Sequence, residues 1–208
     1  MEYQVKVRRV SHNILMTKNL YTHRRFNLVA DASIFFVIFA LLIVLRPDVV
    51  FPLIYLLLFP YIFFTGRNYL LRYLIIASVC SLVWMLIGGG IYGYQDTYFS
   101  IGPISIYPLA AWTVCFFLAY LFAGHFDNDQ AAFWKKFLVY SICYLFFVIF
   151  YETVAYHVFE IRNPTTIGYP GLPVCDCIHA PVWVQVTYLS MGPVYYLICQ
   201  FPGIRNRT

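Results

Sequence analysis

The sequence predicts an all-α integral membrane protein of six transmembrane helices, with N- and C-termini cytoplasmic. Three observations carry that prediction. Six apolar runs approach the roughly 20 residues that a helix needs to cross a hydrocarbon core of about 30 Å. Charged residues make up only 11% of the chain against 62% hydrophobic residues, far from the balance of a soluble domain. The cations, finally, fall on alternate connecting segments, as the positive-inside rule requires. The runs are continuous rather than alternating, which favours helices over a barrel as the way to satisfy backbone groups in lipid.

The chain opens on a basic segment, residues 1–28, in which Lys6, Arg8, Arg9, Lys18, Arg24 and Arg25 mix with Tyr3, Val5, Val7, Val10, Ile14, Leu15 and Tyr21. Two descriptions fit it: an interfacial helix on the anionic lipid of the inner leaflet, or a solvated tail that sets orientation. Its His12 and His23 are expected at the surface. No cleavable leader is expected, because these residues are polar and basic and the first apolar run has full transmembrane length. The transmembrane domain occupies residues 29–201, with helices predicted at 29–46, 49–65, 72–94, 104–124, 137–158 and 181–201, and residues 202–208 form a cytoplasmic tail. The connector Arg46-Pro47-Asp48 makes the first two helices a hairpin.

With the N-terminus inside, Arg67, Arg72, Lys135, Lys136, Arg205 and Arg207 join the N-terminal cations on the inner face, against Arg46 and Arg162 outside. The net charge of +5 is therefore an expression of topology and anionic-lipid contact, with no place for nucleic acid. In the third helix, Gly88-Gly89-Gly90 suits close helix packing or a broken helix of the kind found in carriers. Two outer loops, 94–103 and 159–180, contain Gly and Pro and run into helices with Trp112 and Trp183 near their starts. Helices 3 and 4 are thus a possible distant repeat of helices 5 and 6. The inner loop GHFDNDQAAFWKK holds His125, Asp127, Asp129 and Gln130. It starts like a calcium loop but lacks the glycine and terminal glutamate of that pattern, so a hydrated turn is expected. Trp134 beside Lys135 and Lys136 suits an interfacial anchor.

Helix 5 contains FYETVAYHVFE, and Glu152 is its key residue. Counted from Phe137, it lies about 22 Å along the helix, in the outer third of the membrane. An acid there is costly and faces a bundle interior or a cavity. A protonated carboxyl at that depth is a proton donor; hydrogen-bonded to another helix, it would instead be packing glue. Tyr156, at i+4, shares its face, whereas His157 points towards the face of Thr153 and Glu160. Two polar faces place helix 5 at the centre of the bundle.

The densest cluster is GYPGLPVCDCIHAPVWVQ, residues 168–185. In an extended loop Cys175, Cys177 and His179 would point one way and Asp176 the other. Two thiolates and an imidazole suit zinc or copper, but no fourth ligand is identifiable and the two-residue spacer of structural zinc sites is missing. The expectation is no metal and no cofactor, with Cys175, Cys177 and His179 as the alternative set. A Cys175–Cys177 disulfide would close a very small ring, so no stable bridge is expected. Cys80, Cys115, Cys143 and Cys199 fall in helices as small apolar fillers.

The stretch IRNPTTIGYPGLPVCD, residues 161–176, preceded by a helix carrying Glu152, resembles the membrane-embedded lycopene cyclase domain and the related carotenoid hydratases. The resemblance covers about residues 150–190, with an echo in 84–121. That family opens a helix with Pro-x-Glu-Glu, where this chain has Pro173-Val174-Cys175-Asp176; only Asp176 matches an acid, the second. The resemblance implies redox-neutral chemistry on an isoprenoid or carotenoid lipid, as a cyclase, isomerase or hydratase. A carboxylic acid protonates an alkene, aromatic faces stabilise the cation, and proton loss or water capture completes the reaction. The candidates are Glu152, Asp176 and Tyr156 for proton transfer, with Trp112, Tyr151, His157, His179, Trp183 and Tyr188 lining the substrate site.

A second function class fits the same composition: a noncatalytic accessory or scaffold subunit whose outer loop meets a membrane-protein partner or a second copy. A small-solute carrier is a third. Nothing in the sequence resembles a nucleotide loop, a serine-nucleophile motif or a haem-binding histidine pair.

Overall fold

The computed structural model describes residues 27–38, 40–42, 44–88, 100–101, 104–126, 132–163 and 165–201. The chain divides into two compact units, residues 1–40 and 41–208. The basic N-terminal segment, Gly89 and Gly90, most of loop 94–103, the Asp127–Gln130 cluster and the C-terminal tail lie outside the described residues.

In the first unit, a helix α1 (Asn27–Leu42) is apolar but shorter than a full span. The second unit contains α2 (Pro47–Phe64), a 3₁₀ turn (Asn68–Leu70), α3 (Leu71–Gly88), α4 (Ile106–His125), α5 (Phe133–His157) and α6 (Val182–Cys199). Just before α4, β1 (Ser100–Ile101) pairs antiparallel with β2 (Ile104–Ser105). The protein is thus helical, and four described helices, α2 to α5, are long and apolar enough to cross a membrane. Six were expected. α6 has the length of α2, but Gln185, Thr187, Ser190, Gly192 and Pro193 dilute its apolar character.

Helix starts follow local chemistry. Pro47 occupies the first turn of α2, where its missing N–H costs nothing, and Asp48 beside it complements the positive end of the helix dipole. α5 begins one turn before the expected Phe137, so Trp134, Lys135 and Lys136 belong to the helix. Glu152 therefore lies about 28 Å along it, close to the C-terminal end of the helix.

α4 packs on α2, α3 and α5, while α6 packs chiefly on α5 and also on α3. The central helix is α4 and not α5: 61% of an apolar 18-residue stretch of α4 is buried, against 17% of such a stretch of α5. The cause is residue size. Ala110, Ala111, Ala119 and Ala123 are all buried on α4 and let neighbouring backbones come close, whereas α5 carries bulky side chains around its circumference. Leu56, Ile75, Leu86, Ile142, Phe146 and Val194 are exposed on the outer surface, as lipid-facing helices require.

The core is aromatic. Phe116 stacks on Tyr195 at 5.3 Å and on Tyr144 at 5.7 Å, and Tyr140 stacks on Tyr196 at 4.9 Å. Buried phenols spend their protons on carbonyls of other helices: Tyr144 donates to Tyr188 O at 2.6 Å and Tyr195 to Tyr73 O at 3.0 Å. Such bonds replace the hydrophobic drive that helices lack inside lipid. The Tyr144 ring lies directly over Gly192, where a Cβ would overlap it. Gly192→Ala should therefore lower stability by about 1–3 kcal/mol by forcing the ring aside, measured as the unfolding midpoint of the detergent-solubilised protein; an unchanged midpoint would contradict this packing.

Candidate functional site

The site lies where α5 ends and where α2, α4 and α6 begin. Two clefts meet there, each with about 480 Å³ of free space, part of it open to the surface. The aromatic cleft is walled by Tyr107, Trp112, Tyr151 and Tyr188, with Ala111, Cys115 and Val148 filling between them. The loop cleft is bounded by Tyr156, Asn163, Thr166, Ile178, His179 and Val184. Glu152, Ile161 and Tyr188 border both.

Glu152 is half-buried, and among the described residues its carboxyl makes no hydrogen bond or ion pair. An acid in a membrane helix normally has a partner, so one facing open clefts is a candidate for function and not for packing. Around it the aromatic walls are held in place. Trp112 meets Tyr188 edge-on at 4.5 Å, Phe51 meets Tyr151 edge-on at 4.6 Å, and the Tyr107 and Tyr151 hydroxyls bond to each other. At the start of α2, Asp48 is 3% exposed and is held in a two-bond fork by Arg46, each bond 3.2 Å.

The loop cleft is roofed by the cysteine loop, which is a knot of turns and not an extended strand. The Leu172 N–H donates to the Cys177 carbonyl and the Asp176 N–H to the Leu172 carbonyl, each at 2.8 Å. Asp176 and Ile178 take left-handed φ values of 45° and 52°. This curl corrects two expectations. The Cα atoms of Cys175 and Cys177 come to 5.1 Å and the two sulfurs form a disulfide, since the left-handed turn at Asp176 supplies the approach that an extended loop would not. Asp176 and His179, expected on opposite sides, face each other with Oδ1 and Nε2 3.6 Å apart. The bridged sulfurs are not thiolate ligands, and no group of three His, Cys, Asp or Glu placed to hold a metal occurs among the described residues.

Three side chains pin this roof. Gln185 Nε2 faces the carbonyls of Pro170, Ala180 and Ile178 at 2.8, 3.1 and 3.2 Å. His157 Nε2 lies 2.9 Å from the Cys175 carbonyl, and His179 Nδ1 lies 2.7 Å from the Tyr169 carbonyl. The His179 ring also stacks on Tyr156 at 4.6 Å, and the Arg162 guanidinium lies 5.0 Å from the Tyr156 ring centre. Gly171 fits under the turn so closely that a Cβ would come within 2.8 Å of Asp176 Oδ1.

Of the residues singled out from sequence, the clefts bring together Glu152, Tyr156, Trp112, Tyr151, His179 and Tyr188. They leave out Asp176, which is 77% exposed, His157, which holds the loop, and Trp183, which is exposed on α6. Glu152 and Asp176 therefore do not share a cavity. The sequence reading missed Tyr107, Asp48 and Gln185. For Gln185 a signal existed, since a lone amide one turn into an apolar helix needs polar partners.

Gln185→Ala should release the roof at a cost of about 1–3 kcal/mol for the carbonyls left without donors, seen as faster amide exchange across residues 170–180 with the helices unchanged; unaltered protection would contradict the pinning. Compared with known proteins, no family model, no curated protein and no solved structure matches this chain.

Proposed function

We propose that this chain is a multi-pass membrane enzyme that carries out redox-neutral, acid-initiated chemistry on an isoprenoid-type lipid, with Glu152 as the proton donor. The observation that supports this best is the Glu152 carboxyl itself, without a hydrogen-bond or ion-pair partner among the described residues and set between an aromatic and a polar cleft. In this proposal the hydrocarbon end group lies in the aromatic cleft. Glu152 delivers its proton to one alkene carbon, and the cation on the neighbouring carbon is stabilised by the faces of Trp112, Tyr107, Tyr151 and Tyr188. Return of a proton to the Glu152 carboxylate gives a cyclised or double-bond-shifted isomer. Water entering by the loop cleft would give an alcohol. Asp176, turned outward, has no part in either outcome.

The proposal includes six spans with both termini cytoplasmic, four of them the long helices α2 to α5, with α1 and α6 completing the count. Basic residues 1–28 would contact anionic lipid on the inner leaflet, and the cysteine loop would face outward.

The test is lipid and pigment profiling of cells that accumulate lycopene and express the chain. A new product of unchanged or water-incremented mass is expected, falling by about 100-fold or more with Glu152→Gln and persisting with Asp176→Asn. An unaltered profile from well-folded protein would contradict the enzyme and favour an accessory subunit docking a membrane-protein partner or a second copy.

A further inference from the structure

A bridge between Cys175 and Cys177 is a poor structural staple. It encloses a single intervening residue, so it removes little freedom from the unfolded chain. The turn that accommodates it is also strained: Asp176 and Ile178 both have positive φ, a region that non-glycine residues seldom adopt and β-branched ones least of all. A link that adds little stability and sits in a strained, solvent-facing turn has the character of a labile disulfide.

Its surroundings give it a direction. Cys175 is half-exposed, whereas Cys177 is 0% exposed. An incoming thiolate therefore reaches Cys175 Sγ, and Cys177 Sγ is the leaving atom. Thr153 Oγ1 lies 3.9 Å from Cys177 Sγ and donates its own proton to the Ile149 carbonyl at 2.6 Å. Its lone pairs are thus available to accept from a newly formed Cys177 thiol.

We propose that Cys175 and Cys177 are a redox-active pair that exchanges disulfide with a dithiol on the face where α5 ends and α6 begins. One thiolate of the dithiol attacks Cys175 Sγ, forming a mixed disulfide, and Cys177 leaves with the bonding electron pair and takes up a proton. The second thiol of the dithiol then attacks that molecule's other sulfur, held in the mixed disulfide, and expels Cys175, which is protonated in turn. Two electrons and two protons have passed to the chain, and the dithiol departs as its own disulfide. The proposal is independent of any lipid chemistry at Glu152.

The experiment uses the full chain in lipid nanodiscs with dithiothreitol as the reductant, followed by alkylation and peptide mass mapping. Cys175 and Cys177 should become alkylated together at reductant levels that leave the helical melting curve unchanged, and should re-form the bridge when oxidised dithiothreitol is in excess. In single variants, Cys177→Ser, which leaves the exposed sulfur, should react with an aromatic disulfide reagent about tenfold or more faster than Cys175→Ser. A pair that resists reduction until the helices melt, or that is isolated as thiols and cannot be closed, would overturn the proposal, as would equal reactivity of the two variants.

Discussion

Tyr144 reaches from α5 across Gly192 and donates its hydroxyl to the Tyr188 carbonyl on α6. Within lipid no hydrophobic effect draws helices together, so contact is governed by close fit and by polar groups that find partners on a neighbour. This one contact supplies both. It also fixes Tyr188, whose ring borders both clefts and meets Trp112 edge-on. The helix packing in the middle of the bundle and the shape of the site at the end of α5 are therefore joined through a single residue of α6.

Towards the site the packing changes character. Ala119 and Ala123 draw the helices close near the far end of α4, but Tyr107, Trp112, Tyr151 and Tyr188 are too large to pack without gaps where the site opens. The cysteine loop covers the loop cleft. It is held by Gln185 and by two imidazoles that contact backbone carbonyls, so a segment without regular secondary structure acts as a rigid roof. Glu152 stands beneath, with no hydrogen-bond or ion-pair partner among the described residues.

Much of this was legible in the sequence, and the limits have physical causes. The long helices were readable because crossing hydrocarbon demands continuous apolar runs, and Glu152 stood out because an acid in such a run is expensive. That it shares a cleft with Tyr156 followed from helical spacing. The centre of the bundle did not follow from polarity: α4 takes it because small alanines permit close approach, while the polar face of α5 bearing Thr153 and His157 is met by a loop and not by a helix. The cysteine loop was misjudged because residue alternation predicts direction only in an extended chain, and left-handed residues at Asp176 and Ile178 reverse it. No local pattern announces that non-glycine residues will take such a conformation.

The central claim is that the clefts around Glu152 receive a lipid chain. Photolabelling the protein in nanodiscs with a diazirine-bearing isoprenoid, followed by peptide mapping, tests it most directly. Adducts concentrated on Tyr107, Trp112, Glu152 and Tyr188, and diminished by excess unlabelled isoprenoid, are the predicted result. Labelling spread over outer residues such as Leu56, Leu86 and Phe146, with none in the clefts and no competition, would contradict the account.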